Sequence, residues 1–523
     1  MIRNIVIVGG GSAGWMTAAH LSKNLNGVNI SLIESPDVPI IGVGESTVPP
    51  IVGFMHSLGL EESDWMPKCN ATYKSSICFR GYHENDEKRM WFPFNRTWPA
   101  AKRPANRYWL YKYLTDDSFN DRYSIYDYCT LVPELCREGK TVKSLPGSAY
   151  AYHLDATALG EVLKEFSINH GVRHIPDTIN DVIMNEDGSI RELRIENGEP
   201  LQGDLFVDCS GFRSLLLGQK LQEPFEEYYD SLFNDSAIAI RFPFEDKEAE
   251  MVSYTLCTAL SSGWVWTIPL YNRLGTGYVH CSKYQSKEEA EQEFRKYLEG
   301  VLGEKRVRDA EARHLSIRVG KHHRTWVKNC VGIGLSSGFI EPLESTGLQI
   351  VQSEVNLLTL TLQGRNDYNC ADIAVFNESV TRLLSVIRDF LVCHFALTSR
   401  EDTPYWRDVK YNTKIPESLV EKLMMARATM PAWGNEKQFD TGGMLAGFSF
   451  SEGWYNILAG MNFLPFDFDQ HRQGRIGSFE KHLQDNLGEA ERVYRQLEQQ
   501  RQNIGSLPSH YQYLKQNIYG GLD

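Results

Sequence analysis

The chain has 523 residues, 42% hydrophobic and 11% aromatic, enough to bury a large core as one composite domain or two to four modules. A formal net charge of −13 and the lack of any long basic run argue against nucleic acid as a partner. No apolar run is long enough for a membrane span, no basic-then-apolar leader opens the chain, and ten scattered cysteines contain no Cys-x-x-Cys pair, so the expectation is a reduced, cytoplasmic protein without a structural metal.

The predicted elements open with Ile5 to Val8, a short apolar run followed by three glycines. Ala13 to Leu25 reads as a helix and Val28 to Ile33 as a second strand ending at Glu34, together a βαβ unit. Residues 70–82 and 90–150 are rich in aromatics and arginine, leave the alternating pattern, and read as an inserted second layer. Leu154 to Asn169 reads as helix, and Val182 to Ile195 as a hairpin turning at Asn185-Glu186-Asp187-Gly188. Asp204 to Cys209 is a predicted strand running into Ser210-Gly211. Residues 237–283 hold several strands, and 286–302 a charged amphipathic helix. Asn329 to Ile333 is a further strand, leading into a glycine-rich segment and a helix from about Leu348 to Leu362. From about 372 onward the pattern is mostly helical, and a polar helix at roughly 478–502 packs by one face. The fold class is therefore α/β: a Rossmann-like module, an inserted β- and aromatic-rich layer, and a mostly helical C-terminal region. We expect a division at 1–370 and 371–523, with insertions at about 75–150 and 220–320.

Gly9-x-Gly11-x-x-Gly14 lies between the first strand and the first helix. Its first glycine permits the tight turn, its second lets backbone approach a pyrophosphate, and its third lets the helix sit close to the strand. The phosphates then lie at the positive helix terminus, against Ser12 and Ala13. Glu34, 20 residues past Gly14, can accept from ribose hydroxyls and disfavours a 2′-phosphate, so FAD or NAD fits better than NADP.

Three further positions stand out. If Gly263-Trp264-Val265-Trp266-Thr267-Ile268-Pro269 is extended, Trp264 and Trp266 point to one side, as two core tryptophans at a strand end would. Lys74 shares its predicted strand face with Thr72, Ser76 and Cys78, small residues that could leave a pocket around it. Glu344 precedes Ser345-Thr346-Gly347 near a helix start, where a carboxylate is stabilised by the helix dipole.

These strings, with Gly338-Phe339-Ile340-Glu341-Pro342-Leu343-Glu344-Ser345-Thr346-Gly347 and Gly9-Gly10-Gly11-Ser12-Ala13-Gly14-Trp15, resemble the flavin-dependent halogenases of the tryptophan halogenase family. The resemblance covers roughly 1–410 and 455–470. It implies a flavin monooxygenase-type FAD-binding module, with FAD used as FADH2 and a halide, chloride or bromide, as co-substrate. Asp204 to Gly211, Asn329 to Gly338 and Gly42-Val43-Gly44-Glu45-Ser46-Thr47-Val48-Pro49 resemble flavoprotein segments, so FAD is favoured over NAD. Gly9, Gly11, Ser12, Ala13, Gly14, Glu34, Ser46, Ile179, Leu335 and Leu348 are the implied cofactor contacts. Thr346 and Gly347 resemble the halide site. Trp264 and Trp266 would wall the passage between flavin and substrate. Lys74 would either hydrogen-bond hypohalous acid or react to a haloamine. Glu344 would orient Lys74 and balance charge on the ring or take its proton. Phe92, Phe94 and Trp454 would face the substrate.

The resemblance weakens at the substrate end. Met90-Trp91-Phe92-Pro93-Phe94 places Phe92 where tryptophan halogenases carry a histidine, and Met444-Leu445-Ala446-Gly447-Phe448-Ser449-Phe450 stands where their lid carries paired tyrosines and acidic residues. The expected substrate is thus a small indole- or phenol-like aromatic rather than free tryptophan, with bromide or iodide preferred to chloride. A separate flavin reductase is expected to supply FADH2 to a homo-oligomeric enzyme. The rivals are a flavin-dependent aromatic hydroxylase, which would need its substrate beside the flavin, and a flavin-binding sensor without turnover.

Overall fold

The computed structural model describes residues 1–38, 44–94, 108–109, 111–113, 116, 124–141, 149–428, 451–463 and 487–521. Strands Asn4–Val8 and Asn29–Glu34 flank helix Ser12–Asn24 as the glycine pattern predicts. They belong to a six-stranded sheet ordered Trp326–Val327, Cys330–Gly332, Leu205–Asp208, Asn4–Val8, Asn29–Glu34, Arg173–Pro176. All neighbours are parallel except the Trp326–Val327 edge. Four consecutive buried residues, Ile5 to Val8, suit a central strand covered on both faces.

A seven-stranded sheet forms the second layer, ordered Arg313–Ser316, Ser236–Phe242, Leu274–His280, Gly263–Pro269, Tyr254–Ala259, Ser76–Arg80, Arg89–Pro93. The aromatic-rich insertion thus joins the same sheet as the 237–283 strands, through a parallel pairing of Ser76–Arg80 with Tyr254–Ala259. A small sheet of Gly44–Ser46, Ala151–Asp155 and Thr72–Lys74 bridges the two layers.

Two sequence expectations change here. Residues Ala151–Asp155 form a strand, and the helix starts at Ala156 rather than Leu154 because the Asp155 carboxylate caps the amides of Thr157 and Ala158. Lys74 does not share a strand face with Ser76 and Cys78. The strand pairing breaks at Ser75, whose amide bonds the Ser253 carbonyl while its own carbonyl accepts from Phe94, so Lys74 ends one sheet and Ser76 begins another.

Helix Gly347–Leu362 packs on helix Ser12–Asn24, and the long helix Cys370–Ala396 lies against it in turn. Helix Ser451–Gly460 seats on Cys370–Ala396 and on strand Arg89–Pro93. One core cluster runs from Ile7 and Trp15 through Trp264 and Leu343 to Phe390, Trp454 and Leu514, joining the nucleotide-type sheet to the C-terminal helices. The polar helix is Leu487–Arg501, followed by a separate short helix, His510–Asn517, that the sequence pattern did not resolve. Residues 478–486 of the expected polar helix, Gly42-Val43 of the predicted flavin-side loop and the lid stretch Met444 to Phe450 lie outside the described residues. Among the described residues no helix is long and apolar enough to cross a membrane.

Candidate active site

The glycine turn is built as the motif requires. Gly9 has φ +111°, and a Cβ there would lie 2.3 Å from the Cys209 carbonyl oxygen; one at Gly14 would lie 1.8 Å from the Gly9 oxygen. Around Gly11, by contrast, a Cβ would meet nothing within 4 Å. Gly11 is the cap of helix Ser12–Asn24, and no side chain caps that end, so the leading amides are presented outward. The Glu34 carboxylate leans over this turn. Its Oε1 accepts from His174 Nε2 at 2.7 Å and Lys164 Nζ at 3.2 Å, two partners that the sequence did not announce.

A second helix start faces the same region. Gly334, in the turn after strand Cys330–Gly332, lies so close to Ala13 that an added Cβ would be 3.0 Å from the Ala13 methyl and 3.1 Å from Val351. Glu354, fully buried, holds this turn by accepting from the Gly334 amide at 2.7 Å and from the Ser337 hydroxyl, and burial pushes its carboxyl up to about 8. Thr346 Oγ1, both amide atoms of Gln349, and Ser353 Oγ are buried on the first turns of helix Gly347–Leu362 with no partner of their own. Orphaned polar atoms are costly in a finished core, and a polar ligand lying along this helix start would satisfy them. Segments 9–14 and 345–353 both meet the Gly334 turn, through Ala13 and Val351, and segment 44–48 joins them through the Ser46–Ser345 bond, a polar, glycine-lined junction of the kind a dinucleotide needs. Leu335 and Leu348 sit at this junction, half-buried and buried respectively. Ile179 begins a strand beyond Glu34, packed against the outer core of the parallel sheet.

Lys74 is wholly buried. Its Nζ donates to the Thr47 carbonyl at 2.9 Å and to Ser345 Oγ at 2.8 Å, and lies 5.0 Å from the Phe94 ring. Burial pushes its ammonium down to about 7, against the pull of Cys257 and Glu344. Ser345 has φ +60°, a left-handed conformation that costs a non-glycine residue energy. Its hydroxyl is fixed on one side by Lys74 and on the other by Ser46, to which it donates at 3.0 Å.

Glu344 is also buried, and burial raises its carboxyl while His394 and Lys74 draw it back. The expectation that it orients Lys74 is corrected: its hydrogen bond goes to His394, Oε1 to Nε2 at 2.7 Å, and it reaches Lys74 only through charge. His394 Nδ1 faces the Phe390 carbonyl at 2.9 Å. A carbonyl can only accept, so Nδ1 carries a hydrogen, and His394 Nε2 and Glu344 Oε1 share one further proton between them. His394 and Phe390 come from the long C-terminal helix, and no local motif marks either. Their i, i+4 spacing on an apolar helix is the only signal they leave.

The aromatic residues assemble around this pair. Phe390 lies 5.1 Å from Trp454, 6.2 Å from Phe92 and 5.1 Å from the His394 ring, and Phe92 is 6.2 Å from Phe94. Trp264 and Trp266 do point to one side, with centroids 6.2 Å apart. Trp264 Nε1 donates to Glu341 at 3.0 Å, and Asn234 donates to the same oxygen at 2.8 Å. Trp266 pairs across the sheet with Cys257, whose thiol faces the Leu343 carbonyl, so the tryptophan strand runs beside the Pro342–Glu344 turn. Gly347, the first residue of its helix, is open: a Cβ there would touch nothing within 4 Å. Structure thus gathers Lys74, Glu344, Thr346, Phe92, Phe94 and Trp454, and adds Ser345, His394, Phe390 and Glu341, which sequence reading missed.

Comparison with known proteins identifies the family. The family model described as tryptophan halogenase matches residues 4–475. The 7-chloro-L-tryptophan 6-halogenase KtzR of Kutzneria sp. (strain 744) is 37% identical over 456 residues, covering 82% of this chain and 85% of that protein. Among solved structures, Tar14, a tryptophan C-6 flavin-dependent halogenase (chlorinase) from taromycin biosynthesis, superposes with a TM-score of 0.84 at 34% identity, covering 98% of this chain and 99% of its own. Xcc4156, a flavin-dependent halogenase from Xanthomonas campestris, gives a TM-score of 0.83 at 32% identity, with 99% and 98% covered. The chain belongs to the tryptophan halogenase family of flavin-dependent halogenases.

Proposed function

We propose that this enzyme halogenates a small indole- or phenol-like aromatic, with Lys74 as the residue that receives the oxidised halogen. Bound reduced FAD supplies, with O2 and a halide, one equivalent of hypohalous acid. Gly9 to Gly14 and Glu34 hold the dinucleotide, with Ser46, Ile179, Leu335 and Leu348 along it. Thr346 and Gly347, at an uncapped helix start, offer backbone amides to the halide. Trp264, pinned by Glu341, and Trp266 keep an organic substrate apart from the flavin while a triatomic acid passes. The homo-oligomeric assembly and the separate reductase are part of the same reading.

The observation that carries it is Lys74: a buried lysine whose ammonium is brought close to neutrality, placed 5.0 Å from Phe94 on the aromatic side and bonded to Ser345 on the helix-start side. Phe92, Phe94, Phe390 and Trp454 hold the ring by stacking and edge contacts. Glu344, sharing a proton with His394, is placed to take the proton that the ring loses. A zwitterion needs partners for both charges, and burying either unpaired is costly. Lys422, 5.9 Å from the Trp454 ring, is tied to Asp389 at 2.8 Å, a carboxylate it shares with Arg388, and Phe92 is apolar. That favours simple indoles and phenols over free tryptophan, and easily oxidised halides, bromide before chloride.

The test is incubation of an aromatic library with the enzyme, a flavin reductase, FAD and each halide in turn, read by mass shift, with tryptophan competing against indole. A brominated indole or phenol formed faster than halotryptophan is expected. Efficient regioselective chlorination of free tryptophan would overturn the substrate assignment.

A further inference from the structure

A line of buried hydroxyl groups leaves Lys74 on the side away from the aromatic cage. Lys74 Nζ donates to Ser345 Oγ at 2.8 Å, Ser345 Oγ to Ser46 Oγ at 3.0 Å, Ser46 Oγ lies 2.7 Å from Thr255 Oγ1, and Thr255 Oγ1 lies 2.9 Å from His153 Nε2. His153 Nδ1 lies 3.3 Å from Thr72 Oγ1, which bonds the Pro269 carbonyl at 2.7 Å. Lys74, Ser345, Ser46, Thr255, His153 and Thr72 are all buried, so bulk water does not short-circuit the line.

Its two ends fix the direction of every hydrogen. The Pro269 carbonyl can only accept, so Thr72 donates to it and must accept from His153 Nδ1–H. Neutral His153 then has a bare Nε2, which accepts from Thr255. Thr255 accepts from Ser46, Ser46 from Ser345, and Ser345 from the lysine, which can only donate while it is an ammonium. All four donors point from Lys74 towards His153, the arrangement that lets a proton hop without moving a heavy atom. Five residues from five separate segments (46, 74, 153, 255 and 345) contribute, which a structural role for any one of them does not require.

We propose that Ser345, Ser46 and Thr255 are a proton relay joining Lys74 to His153, and that it lets Lys74 act on hypohalous acid as a neutral amine. This rests on the halogenase role given to Lys74 above. In the outward step an N–H bond of the ammonium breaks, each hydroxyl passes its proton on, and His153 Nε2 gains one. The free amine attacks the halogen of hypohalous acid: an N–halogen bond forms, the halogen–oxygen bond breaks, and the departing hydroxide takes a proton from the same nitrogen to leave as water. In the return step the His153 proton runs back to the haloamine nitrogen. The aromatic carbon then takes the halogen, the N–halogen electron pair stays with the amine, and the ring proton leaves to Glu344. Once the ring proton on Glu344 replaces the one that Lys74 gave up, ammonium and carboxylate are restored, and the sum is hypohalous acid plus arene giving haloarene plus water. His153 is suited to a transient stop: burial and the Lys74 charge hold it well below the usual histidine range, and the second of these disappears once Lys74 has given up its proton.

Thr255→Val cuts the line next to His153 while keeping volume, and Thr255→Ser restores the hydroxyl. Expected for Val is a fall in the halogenation kcat of about tenfold or more, with KM for the arene within about twofold and flavin affinity unchanged. Ser should return most of the rate and the solvent deuterium isotope effect that Val removes. Independently of turnover, 15N spectra of histidine-labelled full-length protein should show His153 as the Nδ1–H tautomer and should shift in Lys74→Met. A Val variant with wild-type kcat and isotope effect, a Ser variant as slow as Val, or His153 protonated at Nε2 at rest each overturns the relay. Activity surviving Lys74→Ala sinks the function proposed for Lys74 instead. A dead Lys74→Ala beside a fully active Thr255→Val removes only the relay.

Discussion

The two sides of this site are made by different means. The proposed flavin side is made of backbone: Gly9, Gly11 and Gly14 lie within six residues, and each would do its work by having no side chain, so a short string of sequence states the geometry. The proposed substrate side is made of side chains from Phe92, Phe94, Glu344, Phe390, His394 and Trp454, spread over more than 350 residues and joined by packing and by the Glu344–His394 bond. Lys74 stands on the border. It is held by a backbone carbonyl and a hydroxyl from the flavin side, and presents its Nζ to an aromatic from the other. A motif-built half tolerates little change, whereas a packing-built half can be altered to suit another arene without disturbing the cofactor.

The sharpest way to break that division is at the border itself. Lys74→Ala is expected to abolish halogenation while reduced flavin still reacts with O2 and FAD binds normally. Product yield, after subtraction of what freely diffusing hypohalite makes, is the measurement, and substantial enzymatic product would erase the border. Next in size, Glu344→Gln should slow halogenation by about one to three decades with flavin affinity nearly unchanged, as expected on losing a positioned base. Steady-state rates with flavin titrations check both halves, and a fully active Gln variant would reduce Glu344 to a helix-start carboxylate.

The pH profile gives a smaller effect with a definite sign. Lys74 is held at about 7, with Cys257 and Glu344 facing it, and the amine is its unprotonated form. If the amine reacts, kcat should rise roughly tenfold from pH 6 to pH 8, since each unit below the pKa costs about a factor of ten in amine. Glu344, raised by burial, needs its carboxylate form to take a proton and so adds to the loss on the acid side. A rate that falls as pH passes through 7 would instead mean that the ammonium donates to hypohalous acid. Smallest of all, Gly453→Ala probes the cage alone. A Cβ there would lie 2.8 Å from Phe92 and 2.9 Å from Phe390 at the ring tips, so the rings must shift. KM for the arene should rise by about three- to tenfold with kcat and flavin affinity near wild type. A loss of flavin binding would show that the two halves are not separable.

Legibility in the sequence follows the same division. The βαβ unit, the hairpin around Gly188 and helix Lys287–Leu302 with its Ser286 and Glu289 capping box were readable because short-range periodicity and capping chemistry determine them. The common side of Trp264 and Trp266 was readable too, because alternation along a strand is local. The break at Ser75 was not, since it depends on pairing with Ser253, 178 residues away. Nor was His394 as the partner of Glu344, or Thr255 and His153 beyond Ser46. A hydrogen bond between distant segments leaves no spacing to find, and a buried His or Thr in a strand or helix looks like any other core residue. By itself, then, the sequence determined the nucleotide-binding unit, the family strings and the identity of Lys74 and Glu344 as the residues to watch. Only the tertiary structure decided what each of them touches, because burial sets their proton affinities, and burial is the joint product of elements that the chain brings together from both ends.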